Sequence, residues 1–186
     1  MQKNGEFIFF YDDRSKQTVL TAGHNNKIYK YNYNRNKLVE KITHNDGSTE
    51  EKKYDEKENV IWRKDRNNNE YFYKYNENSQ LILIERKTRI QGELYQKRTY
   101  VYDEKGRKLK ETDSLGNYTS YAYREFAKEP WQVTSPMGDM FFYEYDRAGR
   151  CSSITDRNFG TKTFGYNYID YLTIETDALK NTHMYV

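Results

Sequence analysis

A tyrosine followed by aspartate or asparagine returns about every 21 residues, and this period constrains the fold of the 186-residue chain more than any other feature. The pairs are Tyr11-Asp12, Tyr33-Asn34, Tyr54-Asp55, Tyr75-Asn76, Tyr102-Asp103, Tyr145-Asp146 and Tyr166-Asn167, with a degenerate copy in phase at Tyr123-Arg124. Successive tyrosines lie 22, 21, 21, 27, 21, 22 and 21 residues apart. A spacing that tight implies one supersecondary unit repeated from end to end.

The unit is clearest from Thr99 to Tyr123, which reads as strand, turn, strand, turn, strand. Tyr100 and Tyr102 are two apart, hence on one face of an extended segment. Asp103 and Gly106 stand at the first and fourth positions of a type I turn, and Asp113 and Gly116 repeat that chemistry after the second strand. The residue two before the anchor is aromatic in every copy except Lys52. Ten residues after the anchor's Asp or Asn comes Asp65, Asp113, Asp156 or Asp177, with His44 and Arg86 in two copies. A glycine follows three later at Gly47 and Gly116, and at Gly138 and Gly160 if one inserted residue is allowed. Each unit therefore holds two turns and two strands.

The predicted fold is all-β: an antiparallel meander of about eight repeats. Two strands per repeat at ~4.8 Å spacing give ~10 Å of sheet per repeat. About 16 strands exceed what an open sheet carries without curling, so curvature is expected. Aromatics should share one face, with Lys, Glu, Asn and Thr on the other. Val60/Trp62, Leu81/Leu83 and Leu172/Ile174 alternate as inward pairs, and Trp131 matches the Trp62 slot, which points to core packing for both tryptophans. The longest spacing is taken up by a hairpin loop over residues 86–93. All 186 residues read as one array, and the lead-in to a further anchor at His183–Val186 reads as a fragment of a longer one.

Composition alone points elsewhere. Hydrophobic residues make up 35%, charged residues 32%, and mean hydropathy is −1.18, values that accompany disorder. Twenty tyrosines, nine phenylalanines and two tryptophans oppose that reading, because rings with polar tips suit a pleated surface wetted on one side. The formal charge of +3 is interspersed, so no nucleic-acid partner is expected. Nothing resembles a signal peptide or a membrane span.

No catalytic, cofactor or metal constellation emerges. His24, His44 and His183 share no ligand spacing. The recurring aspartates are ten apart, each in its own turn, unlike the dense oxygen donors of a calcium loop. Cys151 falls in the slot of Val60, Leu81 and Leu172 and reads as a small buried hydrophobe. No enzyme is expected. The residues singled out are the repeat signature: Tyr11, Tyr33, Tyr54, Tyr75, Tyr102, Asp103, Gly106, Asp113, Gly116, Tyr123, Tyr145, Asp146, Gly149, Asp156, Tyr166 and Asp177. Tyr-x-Tyr pairs that hold the sheet are the first reading, and stacking on glycans by the aromatic face is the alternative.

The segments Tyr100-Val-Tyr102-Asp103-Glu-Lys-Gly106-Arg107 and Tyr143-Glu-Tyr145-Asp146-Arg-Ala-Gly149-Arg150 resemble the YD repeat of Rhs proteins, toxin-complex shell subunits and teneurins. The resemblance spans essentially the whole chain. It is looser where Ser15, Lys37, Glu58, Ser79, Ala127 and Asp170 replace the turn glycine. It implies a ribbon that spirals into a shell, neighbouring YD repeats as partners, a toxin polypeptide as cargo, and a place in a larger secreted or cell-surface protein. Cargo-releasing members carry a self-cleaving segment with Asp-Pro motifs. This chain has no Asp-Pro dipeptide, so the resemblance does not extend to self-cleavage.

Overall fold

The computed structural model describes residues 7–12, 14, 16–22, 27–87 and 96–185. Among them there is no helix. Seventeen strands follow in order: β1 Phe7–Asp12, β2 Gln17–Ala22, β3 Lys27–Tyr33, β4 Val39–Thr43, β5 Thr49–Tyr54, β6 Val60–Lys64, β7 Glu70–Tyr75, β8 Leu81–Lys87, β9 Gln96–Tyr102, β10 Lys108–Thr112, β11 Tyr118–Ala122, β12 Gln132–Thr134, β13 Met140–Tyr145, β14 Cys151–Asp156, β15 Thr161–Tyr166, β16 Leu172–Thr176 and β17 Thr182–Met184. The chain divides into two compact units, Met1–Arg98 and Thr99–Val186.

In the first unit β1 to β8 pair in sequence order, each antiparallel to the next. The second unit repeats this from Thr99 in β9 through β17. Both are meanders of hairpins, as the two-turn period requires. The strands owe their state to aromatic and β-branched residues at alternate positions, and their ends to the Asp/Asn turns.

The expected core is not there. Among the described residues no hydrophobic side chain is fully buried, and the single buried residue is Asn69 at 7% exposure. Each unit is one layer of sheet, so its apolar groups are covered only by neighbours on the same face and not by a second layer. Trp62 and Cys151 are accordingly half-buried, not core residues.

Register corrects a second expectation. At the turn after six of the eight anchors, all but Tyr11 and Tyr123, the ladder slips by one residue. The slips fall between Asn32/Tyr33, Lys53/Tyr54, Lys74/Tyr75, Lys108/Lys110, Glu144/Tyr145 and Gly165/Tyr166. Each is a β-bulge, with one extra residue in the strand that leaves the turn. Val60 therefore lies opposite Tyr54 while Trp62 lies opposite Lys53. Directly opposed residues share a face and consecutive ones do not, so Val60 and Trp62 sit on opposite faces. The same holds for Leu81 and Leu83, and for Leu172 and Ile174.

The tyrosines do share a face. Tyr31, Tyr73, Tyr121 and Tyr143 lie opposite Ile42, Ile84, Val133 and Ile154. In the first unit the other face carries Lys30, Asn32, Lys41, Glu51, Lys53, Lys64, Glu70 and Lys74, with Trp62 and Phe72 paired among them. The Lys53 ammonium covers the half-buried Trp62 ring at 5.2 Å, which shields it further from water.

Two elements depart from the period. Arg86 is inside β8, paired with Tyr71, and not in a turn. The rest of the predicted 86–93 loop lies outside the described residues beyond Lys87. After Tyr123 the connection is one residue longer than in the other copies. It places Gln132, not Trp131, opposite Phe142 in the position that Trp62 holds against Phe72. Trp131 precedes β12 and stacks on Phe142 with centroids 5.8 Å apart.

Candidate functional site

The residues that repeat converge on one structure, a clasp that joins each turn to its neighbour. It begins with the aspartate. Asp103 accepts the Gly106 amide on its carbonyl at 3.0 Å and donates its own amide to Arg107 at 2.9 Å. Its Oδ1 accepts the amides of Lys105 and Arg107 at 3.0 and 2.8 Å. The same pattern recurs at Asp55, Asp65, Asp113, Asp146 and Asp156. Asn34, Asn76 and Asn167 substitute for it, because only one side-chain oxygen is needed. At Asp177 the Asn181 amide is held in the same way. His44 forms the backbone turn without capping it; Asp46 holds the Ser48 amide instead.

The second carboxylate oxygen takes a donor four residues on. Asn59, Asn69, Asn117 and Asn181 supply a side-chain amide at 2.8–3.0 Å, and Arg107 and Arg150 supply Nε at 2.7 Å. The amide and side-chain Nδ2 of the buried Asn69 both donate to Asp65, which offsets the cost of removing them from water. This Asp-x-x-x-Asn/Arg signal is visible in the sequence but was not among the residues singled out.

These bonds hold the carboxylates in the charged form. A side-chain hydrogen bond from Ser48 pulls Asp46 down to about 2. Side-chain bonds from Asn59, Asn117, Arg150 and Asn181 lower Asp55, Asp113, Asp146 and Asp177. At Asp65 and Asp103 partial burial opposes the shift, and the bonds from Asn69 and Arg107 outweigh it.

The fourth turn position is left-handed in most copies. Gly47, Gly106, Gly116, Gly138 and Gly149 have φ between 79° and 87°. Lys37, Glu58, Ser79 and Asp170 keep φ between 59° and 67° without glycine. In the first turn Lys16 takes this conformation, while Ser15 lies outside the described residues. Ala127, in the longer connection, is not among the left-handed residues. The sequence placed the later glycine of the Asp156 turn in this role, but Phe159 holds it at φ 64°. Gly160 serves a different need: a Cβ there would stand 2.8 Å from Asp156 Oδ2 and 3.3 Å from the Ala178 side chain. Because a side chain at φ > 0 is strained, Lys37→Gly should raise stability by about 0.5–1 kcal/mol, read as a higher urea midpoint at unchanged slope.

The anchor tyrosine carries the clasp to the previous repeat. The hydroxyls of Tyr54, Tyr75, Tyr123, Tyr145 and Tyr166 donate to the carbonyls of Val39, Val60, Lys108, Pro130 and Cys151, at 2.7–2.9 Å and always fifteen residues back. Tyr33 and Tyr102 stand at the equivalent bulges opposite Val39 and Lys108. Tyr11 pairs with Thr18 through the backbone, and its side chain lies outside the description. Desolvation raises Tyr54, Tyr75, Tyr102, Tyr123 and Tyr166, and carries Tyr145 to about 12.

Arginine closes the clasp in the two copies nearest the YD pattern. The Arg107 guanidinium lies 4.6 Å over the Tyr123 ring, and its Nη1 donates to the carbonyls of Arg124 and Ala127 at 2.8 Å. Arg150 lies 4.8 Å over Tyr166 and donates to the Asn167 carbonyl and to Asp170. Each arginine therefore binds its own aspartate, the next turn and the next anchor tyrosine, a set suited to a planar five-donor group.

Among the described residues no three His, Cys, Asp or Glu side chains stand together as metal ligands. An open groove of about 520 Å³ on the tyrosine face is lined by Asp55, Lys57, Ile61, Tyr73, Tyr75 and Ile82. His44 sits 2.9 Å from Glu50 with the Tyr29 ring edge-on at 5.6 Å, and His183 lies opposite Glu175. His24 lies outside the described residues. The half-buried thiol of Cys151 is pushed up by desolvation, the reverse of an activated nucleophile.

No family model and no curated protein matches the sequence. Solved structures do match the fold. A TcdB2-TccC3 crystal structure superposes with a TM-score of 0.71 at 16% identity, over 92% of this chain and 11% of that one. A TcdB2-TccC3-TEV crystal structure gives 0.70 at 15% identity, over 91% and 10%. A Photorhabdus luminescens Tc holotoxin pore with a mutated TccC3 gives 0.57 at 18% identity, over 91% and 9%. The chain spans about a tenth of the length of the chains it matches. The fold expected from the YD-repeat resemblance is the fold these toxin-complex chains share with it.

Proposed function

We propose that this chain is a non-catalytic wall segment of an Rhs/YD-repeat shell, part of a larger secreted bacterial protein that encloses or presents a toxin polypeptide. The clasp carries the reading. It spends the signature tyrosines, aspartates and arginines on joining one repeat to the next, which is what a wall requires and what an active site does not. The fold match to the TcdB2-TccC3 chains supports it, and the 27-residue anchor spacing is compatible with it. Glycan binding by the aromatic face draws less support, since five anchor hydroxyls are engaged by backbone carbonyls.

The gene on either side of the chain tests the proposal. Continuing Tyr-Asp repeats, then an Asp-Pro-containing segment and an unrelated C-terminal domain, are expected. In the purified parent protein that C-terminal polypeptide should resist trypsin until denaturant opens the shell. A C-terminal domain digested at once under native conditions, or a gene limited to these repeats, would overturn the wall reading.

A further inference from the structure

Three cations stand in one row on the tyrosine face of the first unit. Lys52 lies opposite Arg63, Arg63 opposite Tyr71, and Tyr71 opposite Arg86, so the row crosses β5, β6, β7 and β8. Lys52 belongs to the one copy in which the residue two before the anchor is not aromatic. In the other copies that residue faces an aliphatic side chain or a glutamate. The glutamates there have lysine partners: Glu111 accepts from Lys108 at 2.8 Å, and Glu175 pairs with Lys162. Lys52 and Arg63 instead set like charges directly opposite, which weakens the sheet.

The neighbouring acids do not balance the row. Glu40, at the β4 bulge, is exposed and makes no ion pair among the described residues. Glu50 is bonded to His44 at 2.9 Å and reaches Arg63 only at 3.9 Å. Both oxygens of Asp65 are occupied, Oδ1 by the Asn67 and Asn69 amides and Oδ2 by the Asn69 side chain and the Tyr71 hydroxyl. Among the described residues no carboxylate forms an ion pair with Lys52 or Arg86. Little else holds Arg86. Its guanidinium lies 5.6 Å over the Tyr71 ring, its Nη1 reaches Gln96 Oε1 at 3.5 Å, and its Nε is shut off from water without a hydrogen-bond partner. Arg63 lies over the same ring at 5.5 Å. Two guanidinium groups therefore converge on one phenol from the strands on either side, with Lys52 beyond Arg63.

A row that weakens the sheet and leaves a guanidinium N–H unsatisfied breaks the rules that the other repeats obey, as a binding site does. We infer that Arg63 and Arg86, supported by Lys52, bind a doubly charged tetrahedral oxyanion, a phosphate group free or in an ester, beside the Tyr71 ring. The planar fork of arginine matches phosphate oxygens two at a time. A dianion also answers both cations that no carboxylate neutralises, Lys52 and Arg86, whereas a single carboxylate would leave one unmatched. The site is half-exposed, so the dissociation constant is on the order of 1 mM.

The test is a titration of the whole chain with inorganic phosphate at constant ionic strength and about pH 8, where the ion is mainly dianionic, followed by the arginine Nε–Hε resonances. The Arg63 and Arg86 signals should shift and saturate, and acetate should need an about tenfold higher concentration. Arg63→Gln and Arg86→Gln should each weaken phosphate binding about tenfold, while Lys74→Gln, on the other face, should leave it within about twofold. Lys52→Tyr restores the aromatic of the other copies. It should weaken phosphate binding about threefold and yet raise the urea midpoint, a split that a purely structural lysine would not give. Glycerol 3-phosphate separates the sources: binding at least as tight as inorganic phosphate places the group in an ester, and weaker binding leaves the free ion. Shifts that track ionic strength alone, or that survive Arg86→Gln, overturn the proposal. An equal response to acetate overturns the assignment to a dianion, and a Lys52→Tyr variant that binds phosphate undiminished removes Lys52 from the site.

Discussion

Acidifying the protein from pH 5 to pH 2 is expected to remove most of its stability. Asp46, Asp55, Asp65, Asp103, Asp113, Asp146, Asp177 and Glu175 all titrate below the ordinary carboxylate range in the folded chain. Unfolding returns them to that range, near 4. Between about pH 4 and about 2, the value reached by Asp46, the unfolded chain therefore binds more protons than the folded one, and stability falls as pH falls. Each contribution is modest because these turns face water, but the same carboxylate serves at turn after turn and the losses share one sign. Thermal melts followed by circular dichroism should show a plateau from about pH 5 to 9 and a steep decline below pH 4. A melting temperature unchanged down to pH 2.5 would mean that the aspartates cap the turns without stabilising them. Salt should weaken the Asp146–Arg150 and Glu175–Lys162 contributions more than those of Asp113 and Asp177, whose partners are amides.

Tyr145→Ala is expected to destabilise the chain by about 2–3 kcal/mol, and Tyr145→Phe by about 1 kcal/mol. The alanine variant loses the ring that lies opposite Cys151 across the bulge, together with the hydroxyl bond to Pro130. The phenylalanine variant loses only the bond and leaves a half-exposed carbonyl to water. Urea denaturation measures both. If the two variants cost the same, the hydroxyl carries the anchor; if phenylalanine is neutral, the ring alone does. The same residue sets an alkaline limit. Its phenol is raised to about 12 in the folded chain, so its contribution is complete below pH 10 and is lost as pH rises from about 10 to 12. Tyr145→Phe should lessen the alkaline decline, to which Tyr54, Tyr75, Tyr102, Tyr123 and Tyr166 also contribute, while leaving the acid limb unchanged.

The repeat was legible because hairpin structure is local. Turn residues at fixed offsets and side chains alternating with period two are statements about neighbours in sequence, and Asp103, Gly106, Asp113 and Gly116 fall in the turns they announce. The asparagine or arginine four residues after Asp55, Asp65, Asp103, Asp113, Asp146 and Asp177 was equally local and could have been read. It is masked by its variety: Asn59, Arg107 and Gly160 look unrelated until the carboxylate they surround is seen.

Three features were beyond the sequence, for physical reasons that differ. The bulge adds a residue without any mark in composition, and period two cannot reveal which face follows it, so Val60 and Trp62 looked like companions. The absence of fully buried hydrophobic side chains among the described residues depends on whether a second layer exists, which no strand pattern states. The tyrosine clasp depends on lateral pairing: a hydroxyl meets a carbonyl fifteen residues earlier only once one strand lies beside another. By itself the sequence determined the alternation of strand and turn, the kind of turn and the residues that repeat, since each rests on the chain's own local stereochemistry. Only the tertiary structure decided what those residues touch, because the contacts that join one repeat to the next are made across the sheet and not along the chain.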